Sequence, residues 1–148
     1  MITIRSATTE DIEALTGLFD LYRVWYHQPS NIAAAKKFLL QRMEKNESVI
    51  FVAVQEKALV GFTQLYPIFS SVSLQRSWLL NDLYVQGNAR KQGVAKQLLE
   101  AARQHGVQTE AKWLLLQTGN DNYSAQSVYE KNGWKKVPDY FYELPLTQ

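Results

Sequence analysis

Two apolar runs joined by a tight turn constrain this chain more than any other feature. Val49-Ile50-Phe51-Val52-Ala53-Val54 is β-branched, continuous and too short for an ordinary helix, so it reads as a strand buried on both faces. Glu56-Lys57 reads as a turn, and 59–66 as the return strand, ended by Pro67. Amphipathic helices surround this hairpin in sequence. Thr8, with Asp11 three residues on, opens the first; Ile12, Leu15, Leu18, Phe19 and Tyr22 then recur at helical spacing to about Tyr26. Pro29-Ser30-Asn31 breaks the chain, and Ala35, Phe38, Leu39 and Met43 carry a second helix to about Asn46. Val94, Ala95, Leu98, Leu99 and Ala102 form the face of a third, with Gly106 as its stop. A short fourth spans 124–131, with Gly133 just past its end.

The remaining pattern predicts strands at 2–5, 78–85, 113–118, 134–137 and 140–144, and a mobile, Ser-rich loop at 68–76. Helices alternating with hairpins and one strand-helix-strand crossover imply an α/β fold, a mixed sheet with helices on both faces. At 148 residues, without linker or repeat, the chain is expected to form one domain. The absence of cysteine excludes disulfides, Cys-ligated zinc and an enzyme-bound thioester, and two histidines argue against a multi-His metal site. The longest apolar run falls far short of the roughly 20 residues a bilayer requires. No apolar segment follows Met1-Ile2-Thr3-Ile4-Arg5, so no secretory signal is expected and the cytoplasm is the expected location. A net charge of +2 disfavours a nucleic-acid partner.

The chemistry concentrates in Leu83-Tyr84-Val85-Gln86-Gly87-Asn88-Ala89-Arg90-Lys91-Gln92-Gly93-Val94-Ala95-Lys96. A strand enters a small-residue turn and then a helix, whose first turn offers unpaired N–H groups and the positive dipole end. Gly93 and Ala95 let an oxygen approach the backbone, and Arg90, Lys91 and Lys96 add positive charge. Such an arrangement cradles an anion, each charge-assisted hydrogen bond contributing about 1.5–3 kcal/mol. Neither a Walker A loop nor a three-glycine dinucleotide fingerprint is present. The plainer alternative is that Gly87 serves a turn and Gly93 serves packing.

Arg90-Lys91-Gln92-Gly93-Val94-Ala95, following Leu83-Tyr84-Val85, matches the [Arg/Gln]-x-x-Gly-x-[Gly/Ala] signature of the GNAT N-acetyltransferases. A second block, Asn122-Tyr123-Ser124-Ala125 and then Val128-Tyr129-Glu130-Lys131-Asn132-Gly133-Trp134, is similar to the family's Asn-x-x-Ala…Leu-Tyr-Glu-Lys-x-Gly-Phe segment. One helix and one strand separate the blocks, as in the family. The resemblance covers essentially the whole chain, 1–148.

The resemblance implies a mostly antiparallel sheet of six to seven strands flanked by four helices. It implies acetyl-CoA as donor, with no metal. The pyrophosphate would rest on amides of Gln92, Gly93, Val94, Ala95 and Lys96, near Arg90 or Lys91; the pantetheine arm would lie beside Leu83, Tyr84 and Val85 as an added strand, entering where that strand splays from 113–118. Asn122 would touch the pantetheine or order the next helix. Tyr129 matches the family's general-acid tyrosine; its alternative is core packing beside Val128 and Trp134. Asp82 is the carboxylate nearest the cradle, either a general base or a strand-end group that orders its neighbours. Some polyamine-acetylating relatives carry a glutamate where this chain has Asn81. Tyr22, Trp25 and Tyr26, with Asp82, suit a cationic amine; their alternative is core packing or a dimer contact. The implied acceptor is a small amine or basic peptide, with a polyamine or lysine side chain preferred. The aromatic Tyr140-Phe141-Tyr142 suggests a homodimer. A coenzyme-A-binding regulator without turnover is the competing class, and Asn81 is its best support.

Overall fold

A computed structural model describes residues 1–147, which form two compact units, one spanning 1–117 and the other starting at Thr118. The first unit is a five-stranded sheet in chain order: β1 (Ile2–Ser6), β2 (Val49–Gln55), β3 (Ala58–Ser70), β4 (Gln75–Val85) and β5 (Leu114–Leu115). The first four strands are antiparallel, and β5 lies parallel to β4. Helices α1 (Ile12–Trp25) and α2 (Ile32–Glu44) cover one face and α3 (Val94–Gln108) the other. The period-two pleat of β2 makes this possible. Val52 packs with Leu15, Leu18, Phe19, Leu39 and Phe62, while Ala53 packs with Val60, Val94 and Leu98. The β2–β3 turn places both Glu56 (φ 50) and Lys57 (φ 68) in the left-handed region, the geometry a two-residue hairpin requires. At Gly61 the sheet and α3 come so close that a Cβ would sit 2.9 Å from the Tyr84 carbonyl oxygen and 3.3 Å from Val94.

The start of α1 is held electrostatically. The Asp11 carboxylate accepts from both Arg5 guanidinium nitrogens at 2.8 Å and from the Thr8 N–H at 2.8 Å. The Arg5 hydrogen bonds, aided by Thr8, bring its pKa down to about 2. A carboxylate whose folded pKa lies below its unfolded value stabilises the fold above about pH 4 and loses that contribution as pH falls toward 2. Asp11→Asn is therefore expected to lower the melting temperature at pH 6 and to match the wild type near pH 2. A constant difference across that range, measured by thermal denaturation, would refute the assignment.

The second unit contains α4 (Tyr123–Lys131). Asn122 caps it, its side-chain oxygen accepting from the Ala125 N–H at 3.2 Å. It ends in a Schellman arrangement: Gly133 (φ 90) donates to Glu130 O at 3.2 Å and Trp134 to Tyr129 O at 3.1 Å. Among the described residues no helix is long and apolar enough to cross a membrane.

Several expectations need correction. The sheet has five strands rather than six to seven. Residues 134–137 and 140–144 form no strand, and Tyr140, Phe141 and Tyr142 are exposed; aromatic content gives β-propensity, but a strand also needs a ladder partner. The expected 113–118 strand shrinks to Leu114–Leu115. The 68–76 segment is not a loop: β3 continues to Ser70 and β4 begins at Gln75 around a turn at 71–74. Pro67 does not end β3, because β2 pairs with β3 only as far as Leu65 and leaves that flank without a ladder to satisfy. Gly106 lies inside α3 instead of ending it. A Cβ there would meet Leu114 at 3.2 Å, so glycine serves packing, and the left-handed residue that closes the helix is Glu110 (φ 57).

Candidate functional site

The site is built on the second half of β4. Gln64 pairs with Asp82 but Leu65 pairs with Leu80, so Asn81 is an extra residue, a bulge that re-aims the strand. On the other flank, β5 pairs only with Trp78 and Leu79. Beyond them, among the described residues, no strand pairs with β4 on that side. The Gln86 N–H donates to Val60 O at 2.8 Å, and the alternation of an antiparallel ladder then turns the backbone groups of Leu83 and Val85 away from β3, into this open flank. The β4–β5 ladder thus stops at Leu79, before Leu83 and Val85.

The open flank leads to the start of α3. Residues Gly87–Ala89 form a single 3-10 turn, Lys91 (φ 63) and Gly93 (φ 78) take left-handed conformations, and Gly93 is the helix cap. The first helical bond runs from Gln97 N–H to Gly93 O at 3.1 Å, so the amides of Val94, Ala95 and Lys96 face out of the helix end. A Cβ at Gly93 would meet nothing within 4 Å. The Val94 side chain is buried in the core, which leaves its amide alone to the cradle. Gln92 is held in place, donating to Asn88 O at 3.2 Å and accepting from Gln55 at 3.0 Å. Arg90 is exposed, yet its side chain is held against the protein. Its Nε donates to Val85 O at 2.9 Å, and its guanidinium lies 5.4 Å from the Trp25 ring centre and 5.7 Å from that of Tyr84.

Asp82 is 4% exposed. It accepts from Gln64 Nε2 at 2.7 Å and from Asn81 Nδ2 at 3.0 Å, and Gln64 in turn accepts from the Ser48 hydroxyl at 2.7 Å. Burial pushes the Asp82 carboxyl above the ordinary carboxylate range, while the bonds from Gln64, Tyr22 and Asn81 pull the other way. Burial, seconded by the Asp82 charge, pushes the Tyr66 phenol up to about 12. A carboxylate so placed is a stronger proton acceptor than an exposed one. Gln64, Ser48 and Tyr66 were not anticipated from the sequence. The available signal was a glutamine inside the apolar run of 59–66, a position where an amide needs partners.

Of the aromatic residues, Tyr22 is half-buried against Phe62, Tyr84 and Tyr26 at 5.8, 6.2 and 5.1 Å, and its hydroxyl donates to Asn81 O at 3.3 Å. It therefore links the core to the bulge. Trp25 and Tyr26 are exposed. The loop after α1 is fixed by Asp20, which accepts from Ser30 Oγ at 2.6 Å and the Asn31 N–H at 2.8 Å. The first unit thus brings together Tyr22, Trp25, Tyr26, Asp82, Leu83, Tyr84, Val85 and the 90–96 cradle. Asn122 and Tyr129 belong to the second unit, where Asn122 caps α4 and Tyr129 lies 6.1 Å from the Trp134 ring.

Comparison with known proteins agrees with this geometry. Residues 15–134 match the model of the acetyltransferase (GNAT) family. An uncharacterized N-acetyltransferase of Bacillus subtilis (strain 168), YhfO, is 46% identical over 91% of each chain. A probable acetyltransferase of Haemophilus influenzae (strain ATCC 51907 / DSM 11121 / KW20 / Rd) is 34% identical over 93% of each. The crystal structure of a probable acetyltransferase superposes with a TM-score of 0.94 over 99% of both chains at 42% identity. The unzipped β4 flank, the left-handed glycine at the α3 cap and these matches together make the chain a member of the GNAT family of N-acetyltransferases.

Proposed function

We propose that the chain, acting as one domain over its whole length, moves the acetyl group of acetyl-CoA directly to a primary amine, a polyamine or a lysine side chain, within a ternary complex. The observation that carries this reading is the open β4 flank running from buried Asp82 to the outward amides of α3. The pantetheine arm pairs with Leu83 and Val85, and the diphosphate rests on the amides of 92–96 with Lys91 and Lys96 beside it. No cysteine is present to carry the acetyl group, which favours direct attack. A lysine-like amine has a pKa of about 10.4, so presenting it neutral at pH 7 costs about 4.6 kcal/mol. Asp82 accepts that proton, directly or through water. A backbone N–H of 83–85 stabilises the oxyanion. Tyr129, assigned by its place in the second motif, donates a hydrogen bond to the departing thiolate. An ordinary phenol near pKa 10 facing a thiol near 8.5 would give up its proton about 2 kcal/mol uphill, so stabilisation by hydrogen bonding is favoured over full transfer. Cytoplasmic location and a homodimer remain part of the proposal.

The test is thiol release from acetyl-CoA against polyamines, lysine peptides and aminoglycosides. Turnover with a primary amine supports the reading. Tight coenzyme A binding with no turnover on any amine favours the regulator reading, which rests on Asn81 standing where some relatives carry glutamate. Tyr129→Phe keeps the ring and removes the hydroxyl; kcat is expected to fall about 10- to 100-fold. An unchanged kcat would remove Tyr129 from the mechanism.

A further inference from the structure

Gln64 is the anomaly of β3. It lies fully buried in the strand, close to the equally buried Phe62 and Leu65. A buried amide is costly unless both of its ends find partners. Here both do: Oε1 accepts from the hydroxyl of Ser48, just before β2, and Nε2 donates to Asp82 Oδ2, each at 2.7 Å. The strand register fixes the pair, with Gln64 opposite Asp82 beside the Asn81 bulge. The other carboxylate oxygen, Oδ1, accepts from Asn81 Nδ2 at 3.0 Å, and the Asp82 carbonyl accepts from the Thr63 hydroxyl at 2.8 Å. Two apolar residues would fill the same rung with no need of partners, so packing alone does not account for the pair.

We propose that Gln64, oriented by Ser48, is a positioning residue for the transfer: it fixes the Asp82 carboxylate in the orientation that takes a proton from the acceptor amine. This rests on the base role of Asp82 proposed above. An amide can show a carboxylate either its N–H donors or its carbonyl oxygen. The first stabilises the charge, and the second sets oxygen against oxygen with no proton between them. Ser48 favours the first, because its hydroxyl occupies Oε1. A carboxylate has about four acceptor positions, so the bonds from Gln64 and Asn81 leave room for one more proton. That proton moves from the ammonium nitrogen to a carboxylate oxygen, and the amine's freed lone pair attacks the thioester carbon. Asp82 is faced by the Tyr22 hydroxyl from α1, by Gln64 and the Tyr66 phenol from β3, and by Asn81 on β4; Arg42 of α2 acts on Tyr66. Tyr66 keeps its proton up to about 12, so it stays neutral over an ordinary assay range.

The experiment uses the full chain with acetyl-CoA and the fastest acceptor among spermidine, a lysine peptide and an aminoglycoside. In Gln64→Met the stem remains and the amide is lost. The acid limb of kcat/KM for the amine is expected to move up by about one pH unit, so that rates on that limb fall about tenfold. KM for acetyl-CoA should stay within about twofold. In Ser48→Ala the amide loses only its anchor, and the limb should move about half a unit the same way. Ser48→Thr restores a hydroxyl and should return it. Carbon-13 NMR of labelled aspartate carboxyls, with the Asp82 signal identified by its loss in Asp82→Asn, reads the same shifts without turnover. Ser48→Ala carries the test if Gln64→Met does not fold. An Asp82 signal that titrates as in the wild type in these variants overturns the positioning role and leaves the base role intact. A signal that moves while the acid limb stays still overturns the base role, and the positioning role with it. Absence of turnover on all three acceptors overturns the transferase reading itself, and this inference with it.

Discussion

Gly93→Ala weakens coenzyme A binding about 10- to 100-fold, while the protein still folds. Gly93 caps α3 at φ 78, and placing an L-side chain in the left-handed region costs roughly 1–2 kcal/mol. Relaxing that strain tilts the amides of 94–96, and one or two charge-assisted hydrogen bonds to a diphosphate, each about 1.5–3 kcal/mol, are lost. No protein atom lies within 4 Å of the new Cβ, so the methyl occupies the space through which a phosphate oxygen would approach, and the fold itself is spared a clash. Gly17→Ala is the control. It lies in α1 with open space around its Cβ and no positive φ, so stability should rise by about 0.5–1 kcal/mol with coenzyme A affinity unchanged. Isothermal titration of both variants decides the matter. Equal affinity for Gly93→Ala and wild type would separate the glycine from the ligand and leave it only its left-handed place at the helix cap.

Asp82→Asn is the second large effect. Loss of a general base typically costs 10²- to 10⁴-fold, and the deficit should be greatest at low pH, narrowing as pH climbs toward the pKa of the amine and free base appears without help. Stability should move in the opposite sense. Burial raises the Asp82 pKa in the folded state, so the fold binds this proton more tightly than the unfolded chain does. The contribution of Asp82 to wild-type stability is then greatest while it is protonated, and it declines as pH rises from about 4 through the raised folded value. Asparagine carries no such penalty, so its stability relative to wild type climbs over that interval. The variant also places an amide N–H against Gln64 or Asn81, which both donate. That offset is independent of pH, so the slope of the difference carries the conclusion. A deficit in kcat/KM that is flat with pH would make Asp82 an organiser of Gln64 and Asn81 and not a base.

How much of this could be read beforehand follows from the range over which each signal acts. The hairpin of β2 and β3, the three long helices and the turn that leads into α3 are encoded locally, in apolar period, turn residues and spacing. All are present, with bounds displaced by a few residues. Failures arose where a long-range partner decides. Tyr140 to Leu144 has the composition of a strand, yet no ladder forms there among the described residues. Pro67 looked like a terminator, and is tolerated because β2 has already left that flank. Gly106 looked like a stop, and is instead the point where α3 meets Leu114. In the candidate site, Asp82 and the 90–96 turn stand out in the sequence, but the Ser48–Gln64–Asp82 chain does not, because it joins residues on three different segments. The Asn81 bulge was hidden for the same reason: register is a property of two strands.

Beyond Leu79, one flank of β4 has no strand partner among the described residues. If the donor pairs with that flank as proposed, the same main-chain groups would be open to any other extended polypeptide in its absence. Occupancy by the thioester at a hundredfold excess over its Kd would add about 2.7 kcal/mol to folding stability, equivalent to roughly 5–10 °C in a chain of this size. Loss of a donor bound in that way would then lower the stability of the protein as well as its turnover.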